Sequence, residues 1–180
     1  MKNVSYILRL SLTLLIITGL MAAALAGVNA ITEDKIAAIR LEKTQKAIAE
    51  VLPGAAEAKE IPFADETGLV TTVYQSPGGY AVQVTPSGFD GEIAMMVGIG
   101  NEGKVLGISI ISHTETAGLG AVAAASNAKG EAFRSQFEGL SGTLAVSKDG
   151  GEVDALTGAT ITSRAIVEGV NAALACVKGG

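Results

Sequence analysis

Residues Leu10 to Val28 form an unbroken apolar run, LSLTLLIITGLMAAALAGV, with no charged side chain in it. A helix rises about 1.5 Å per residue, so this run is just long enough to cross a hydrocarbon core of about 30 Å. Lys2 and Arg9 precede it, and Glu33 and Asp34 follow it. Basic residues favour the cytoplasmic side, which predicts a single pass with the N-terminus inside and the rest of the chain outside. The competing expectation is a cleaved signal peptide, for which Ala24-Leu25-Ala26 and Val28-Asn29-Ala30 are suitable small-residue sites. The run exceeds the usual signal core of about 7–15 residues, which favours a retained anchor. Either way the remaining chain lies beyond the cytoplasm.

Past the span the pattern changes twice. From Thr32 to Val51, Ile36, Ile39, Ala47, Ile48 and Val51 recur on one helical face, and Pro53-Gly54 ends the helix. Short strand-like runs follow at Leu69–Tyr74, Tyr80–Val84, Glu92–Ile99 and Val105–Ile111, each bounded by Gly, Pro, Ser or Asn. Tyr80, Val82 and Val84 alternate, as do Ile93, Met95, Val97 and Ile99, and Asn101-Glu102-Gly103 has the character of a hairpin turn. Ala121–Phe137 is expected to be helical with a break near Gly130, and Leu144–Val146 to be a weak strand. Ile166, Val167, Val170, Ala173, Leu174 and Val177 mark a C-terminal amphipathic helix. Consecutive antiparallel strands with helices beside them predict an α+β domain. The expected organisation is an anchor over 1–30, a helical connector over 31–60 and an extracytoplasmic domain over 61–180.

Composition narrows the function. The 180 residues suit one domain plus an extra segment. Hydrophobic residues make up 48% and charged residues 17%, the opposite of a disordered chain. One Cys excludes an internal disulfide or a Cys-cluster metal site, and no Cys follows the span closely enough for bacterial-type lipid attachment. One His excludes a multi-histidine site, and no metal site is expected. The net charge of −5, without a basic cluster, argues against a nucleic-acid partner.

Two stretches carry candidate chemistry. Asp154-Ala155-Leu156-Thr157-Gly158-Ala159-Thr160-Ile161-Thr162-Ser163 is a loop feeding the last helix. Unpaired N–H groups and the macrodipole attract anions at a helix N-terminus. Gly158 allows a sharp turn or a close approach, and the hydroxyls of Thr157, Thr160, Thr162 and Ser163 can either cap the helix or contact a phosphate. Capping is the commoner use of such residues. Arg164 tilts the balance slightly, since a cation in a first helical turn opposes the dipole unless an anion is bound there. The second stretch, His113-Thr114-Glu115-Thr116-Ala117-Gly118-Leu119-Gly120, follows the fourth strand-like run. It gathers the one His, a carboxylate, two threonines and two glycines, without a recognisable nucleophile paired to the His. By its residues alone it is either a surface loop or part of a site.

Asp154–Ser163 resembles the flavinylation motif of the FMN-binding domain family, in which Asp precedes a Ser/Thr-Gly-Ala-Thr run. His113–Gly120 is similar to that family's His-x-Glu-Thr-Pro-Gly-Leu-Gly stretch, and Phe133-Arg134-Ser135-Gln136-Phe137 resembles a third family segment. With the N-terminal anchor, the combination resembles the G-subunit family of Rnf electron-transport complexes, over Gly79 to Val177 and the anchor. The C subunit of sodium-pumping NADH:quinone oxidoreductase shares the domain, generally on a longer chain. Ala117 stands where the family commonly has Pro, and Leu140 where a Lys is usual.

The resemblance implies an antiparallel-sheet FMN-binding domain behind a single transmembrane helix. It implies FMN linked covalently, by phosphoester, to Thr160. Asp154 belongs to the recognition sequence of a flavin transferase that installs FMN from FAD with Mg²⁺. Thr157, Gly158, Ala159 and Thr162 are expected around the phosphate, and Glu115, Thr116, Gly118 and Leu119 on the ring side. Thr160 is a modified acceptor, not a catalytic nucleophile. The implied role is electron relay within an ion-translocating ferredoxin:NAD oxidoreductase, beside other Rnf membrane and redox subunits. The rival expectations are a stand-alone extracytoplasmic flavin carrier and a flavin-free structural domain in which the motif is only a helix cap.

Overall fold

The computed structural model describes residues 2–178. Contacts divide the chain into two units, Met1–Glu42 and Lys43–Gly180. A long helix, α1 (Lys2–Val51), contributes to both.

In the first unit, Leu12, Leu14, Leu15, Ile16, Ile17 and Leu20 are all exposed, so the helix is apolar around its circumference rather than along one stripe. That distribution suits a lipid surround and not a soluble surface. Its threonine hydroxyls are satisfied within the helix. Thr13 Oγ1 donates to the Arg9 carbonyl at 2.9 Å and Thr18 Oγ1 to the Leu14 carbonyl at 2.9 Å. Such bonding removes the cost of polar groups in hydrocarbon. The helix is long and apolar enough to cross a membrane.

The second unit is a five-stranded antiparallel sheet with helices on both faces. The strands are β1 (Lys59–Ile61), β2 (Val70–Ser76), β3 (Gly79–Val84), β4 (Ala94–Gly100) and β5 (Val105–Ser112), in that spatial order. Each pairs with its sequence neighbour, β2 with β3 and β4 with β5 through tight turns and the other two pairs through longer loops. Gly103, at φ 73°, closes the β4–β5 hairpin at the expected Asn101-Glu102-Gly103 turn. The α+β class and the four longer strands agree with the hydropathy pattern. The three-residue β1, Lys-Glu-Ile, has too little apolar content to announce itself.

Alternation assigns the faces. Val82, Val84, Met95, Val97 and Ile99 join a core with Ile166, Val170, Ala173 and Leu174 of α3 (Thr160–Lys178) and with Phe133 of α2 (Ala128–Ser135). Ala81 and Met96 point the other way, onto Ala47, Ile48, Val51 and Leu52 at the end of α1. With both faces covered, the interior of β4 is buried residue after residue. The α1 end sits so close to the sheet that a Cβ on Gly98 would strike the Val51 carbonyl.

Two local expectations change. The break in the 121–137 segment falls at Ala125–Asn127, between a 3-10 turn (Gly120–Ala124) and α2, and not at Gly130. Asn127 Oδ1 accepts from the N–H groups of Lys129 and Gly130 at 3.1 and 3.0 Å, an N-cap that starts a new helix. Gly130 lies inside that helix, at a position where a Cβ would meet the carbonyls of Ala125 and Val122. Leu144–Val146 forms no strand. Val146 makes only an isolated parallel bridge with Val153, which pins the base of the intervening loop.

Candidate functional site

The two sequence stretches converge on the first turn of α3. A cavity of about 340 Å³ is lined there by Glu115, Thr116, Leu119, Gly158, Ala159, Thr160 and Thr162, together with Phe89, Gly120, Lys148 and Ile161. Gly118, Asp154 and Thr157 do not line it. They line a neighbouring cavity of about 570 Å³, with Leu119 bordering both.

The turn ahead of α3 is fixed by short hydrogen bonds. The Ala159 N–H donates to the Leu156 carbonyl at 3.0 Å, closing a β-turn with Gly158 third at φ 76°. That left-handed conformation is the reason for glycine there. Ser163, fully buried, donates through Oγ to the Ala159 carbonyl and accepts from the Leu156 N–H, both at 3.0 Å. The hydroxyls of Thr160, Thr162 and Ser163 are therefore not spent on capping the helix N–H groups. Thr162 Oγ1 donates to Glu115 Oε2 at 2.5 Å, and Thr160 Oγ1 accepts from the Lys148 ammonium at 3.1 Å. The first-turn N–H groups of a helix have no intrahelical partner, which makes the end of α3 at Thr160 a ready anion donor.

Glu115 is the other anchor. It is only 7% exposed. Its Oε1 accepts from the backbone N–H groups of Phe89 and Asp90 at 2.7 and 3.1 Å. Burial pushes its carboxyl upward, but the bonds from Thr162, Asp90 and Phe89 and the neighbouring His113 outweigh that and hold it below the ordinary glutamate range. A Cβ on Gly88 or Gly120 would strike this carboxylate, so both glycines make room for it. The loop bearing it leaves β5 at a bulge, where Ile111 is extra against β4. Despite Ala117 in place of proline, the loop turns tightly, with the Leu119 and Ala121 N–H groups donating to the Thr116 carbonyl at 3.2 Å each. His113 Nδ1 is buried with no hydrogen-bond partner.

The third family-like segment is structural support. Phe133 and Phe137 meet edge to face at 5.6 Å in the core. Arg134 donates to the Ala123 and Ala125 carbonyls at 2.6 and 3.1 Å, capping the preceding 3-10 turn. Gln136 clasps the Asp154 backbone, accepting from its N–H at 2.7 Å and donating to its carbonyl at 3.3 Å. Asp154 itself is exposed.

Arg164 does not line the cavity. It forms a two-pronged pair with Asp149, Nε to Oδ2 and Nη2 to Oδ1, each 2.7 Å. The cation on the cavity wall is Lys148, which sequence reasoning passed over. A single lysine in Ser-Lys-Asp-Gly-Gly carries no signal until the loop is folded against α3. Phe89 and Ile161, exposed apolar side chains on the same wall, were missed for the same reason.

Residues 88–175 match the FMN-binding domain family. The chain is 35% identical, over 186 aligned residues, to the G subunit of the Na(+)-translocating ferredoxin:NAD(+) oxidoreductase complex of Acetobacterium woodii, covering 92% of this chain and 88% of that one. It is 30% identical over 185 residues to the G subunit of the ion-translocating oxidoreductase complex of Methanosarcina acetivorans, covering 97% and 96%. Over 99 residues it is 41% identical to the G subunit of the proton-translocating ferredoxin:NAD(+) oxidoreductase complex of Clostridium ljungdahlii, covering 53% and 51%.

Proposed function

The chain belongs to the G-subunit family of ion-translocating oxidoreductase complexes, and we propose that it is the membrane-anchored flavoprotein subunit of such a complex, holding FMN by a phosphoester at Thr160 and relaying electrons between neighbouring redox subunits. The observation that carries this is the convergence on one 340 Å³ cavity of a threonine hydroxyl, a helix N-terminus and a lysine ammonium. Those are the groups a phosphate end requires. Phe89, Leu119 and Ile161 supply apolar wall beyond it for a flat ring. When bound, the flavin supplies one- and two-electron chemistry.

The chain's own residues attach, orient and tune. For attachment, Thr160 Oγ bonds to the flavin-side phosphorus of FAD as the bond to the bridging oxygen breaks. AMP leaves, and the hydroxyl proton passes to solvent through a base of the flavin transferase. Asp154, exposed beside the second cavity, is accessible to that transferase. Gly158 and Ala159 set the turn that presents Thr160, while Glu115 and Thr116 border the ring side. A phosphoester leaves the ring's electronics untouched, so tuning falls to hydrogen bonds, burial and charge.

Residues 1–30 serve as the anchor, N-terminus inside, with the flavin domain extracytoplasmic and in contact with other subunits of the complex. Co-expression with a flavin transferase tests the attachment. Intact-mass analysis should show one FMN added, and Thr160→Val should lose it. An adduct retained in that variant refutes the assignment. Topology is tested with a cysteine introduced at Asp65 in a Cys176→Ser background. It should label from outside the cytoplasmic membrane, and protection until that membrane is broken refutes the orientation.

A further inference from the structure

We propose that Lys148, held over the first turn of α3 by the Asp149–Arg164 pair, is the phosphate-binding cation of this site and that Asp149 and Arg164 are its positioning residues. The inference rests on Thr160 as the attachment point.

Three features carry it. First, the Lys148 ammonium lies 3.1 Å from Thr160 Oγ1, the atom that would bear the phosphorus. An ammonium has three N–H donors and no acceptor, and this hydroxyl takes only one of them. Second, its placement is built. Ser147 N–H donates to the Val153 carbonyl at 2.7 Å, and the N–H groups of Asp149 and Gly151 donate to the Val146 carbonyl at 2.8 and 3.1 Å. These bonds fix the base of the loop. The two-pronged Asp149–Arg164 pair then straps its tip to α3 one turn beyond Thr160. Third, the charge sits where the flavin-free protein gains little from it. A cation beside a helix N-terminus is disfavoured by the macrodipole. Arg164 is paired directly with Asp149 through two hydrogen bonds, whereas Lys148, close enough for its charge to act on Asp149, makes its hydrogen bond to a neutral hydroxyl. A phosphodiester at Thr160 removes that mismatch, giving both the ammonium and the helix end an anion.

The same arrangement aids attachment. Negative charge on the reacting phosphoryl oxygens meets a fixed ammonium and helix N–H groups that need no rearrangement. Because Lys148 is exposed, the benefit is partly screened by salt.

The test follows flavin attachment to the purified full chain in detergent, with transferase, FAD and Mg²⁺, by intact mass. Lys148→Gln should attach FMN roughly three- to tenfold more slowly at low salt, with the gap to the parent narrowing as salt rises. Lys148→Arg should restore most of the rate. Asp149→Ala should slow attachment in the parent but not further in the Lys148→Gln background, which distinguishes positioning from a general loss of structure. Thermal melts give a second readout. Flavin-free Lys148→Gln should melt no lower than the parent, yet gain less on loading. Parental attachment rates in Lys148→Gln with an unchanged gain on loading would overturn the proposal while leaving Thr160 in place. An adduct that survives Thr160→Val would overturn the underlying attachment, and Lys148 with it.

Discussion

Replacing Glu115 measures how much the site owes to one buried carboxylate. Its two oxygens accept from three donors, the N–H groups of Phe89 and Asp90 and the Thr162 hydroxyl. Hydrogen bonds to a charged acceptor contribute about 1.5–3 kcal/mol each, and a buried donor left unmatched costs about 1–3 kcal/mol. Phe89 and Asp90 are exposed, so water can serve their N–H groups once the carboxylate is gone. Thr162 is 1% exposed and cannot be served so easily. Glu115→Ala should therefore destabilise by about 2–4 kcal/mol. Glu115→Gln keeps a carbonyl for the two N–H groups and lets the Thr162 hydroxyl reverse its role, so about 1–2 kcal/mol is expected. At about 3–4 °C per kcal/mol for a unit of this size, the glutamine variant should melt about 3–8 °C lower in flavin-free full-length protein. The pH dependence supplies a second test. Hydrogen bonding outweighs burial and holds the folded carboxyl below its ordinary value of 4.5. Its stabilisation is therefore complete above that value and is lost as pH falls through the lower folded value. Glutamine has no such titration, so the gap between parent and variant should close on acidification. A glutamine variant that melts with the parent at neutral pH, or a gap that stays constant into acid, would refute a charged acceptor at this position.

Two further substitutions probe the supports of the same turn. Gly158→Ala forces an L-residue to φ 76° and brings its Cβ to 3.0 Å from Leu119 Cδ2, so about 1–2 kcal/mol of stability should be lost, together with part of the flavin content read by mass; unchanged melting and loading would contradict the turn geometry. Phe137→Ala removes a fully buried ring from its edge-to-face pair and should cost about 3–5 kcal/mol by thermal or chemical unfolding, a loss under about 1 kcal/mol being incompatible with the packing seen.

The strands were legible because one sheet face follows a period of two from Tyr80 to Val84 and from Ile93 to Ile99, and the tight β2–β3 and β4–β5 turns use glycine, at Gly78 and Gly103. The last helix was legible because six apolar residues share one face. What eluded the pattern has a physical cause in each case. Gly130 resembles a helix breaker in sequence, but its function is a close approach to two carbonyls that only folding creates. The Asn127 cap that does break the segment lies among small residues with little periodicity. Arg164 follows the motif and in sequence suggests a phosphate neighbour, yet Asp149, fifteen positions earlier, claims it. Lys148 is the converse case, brought to Thr160 by a loop that is anchored through the Val146–Val153 bridge and the Asp149–Arg164 pair, contacts between positions far apart in the pattern.

The hydroxyls of the motif are not interchangeable, and helix geometry explains why. Thr160 and Thr162 are two positions apart, roughly 200° around the helix axis, so although both border the cavity their hydroxyls find different partners. Thr162 turns inward and is consumed by Glu115, while Thr160 stays half-buried at the cavity wall with Lys148. The offset also separates charge along the cavity. The Glu115 carboxylate is held by three donors, the N–H groups of Phe89 and Asp90 and the Thr162 hydroxyl. The Lys148 ammonium hydrogen-bonds to a neutral hydroxyl, with Asp149 already engaged by Arg164, and the open end of α3 adds positive potential beside it. An anion is therefore favoured at the Thr160 end. Phe89 and Leu119 line the same cavity as Glu115 and give it apolar surface. One helical turn thus has two distinct hydroxyl environments, and the loops that create them enter from separate parts of the chain, at Glu115 and at Lys148.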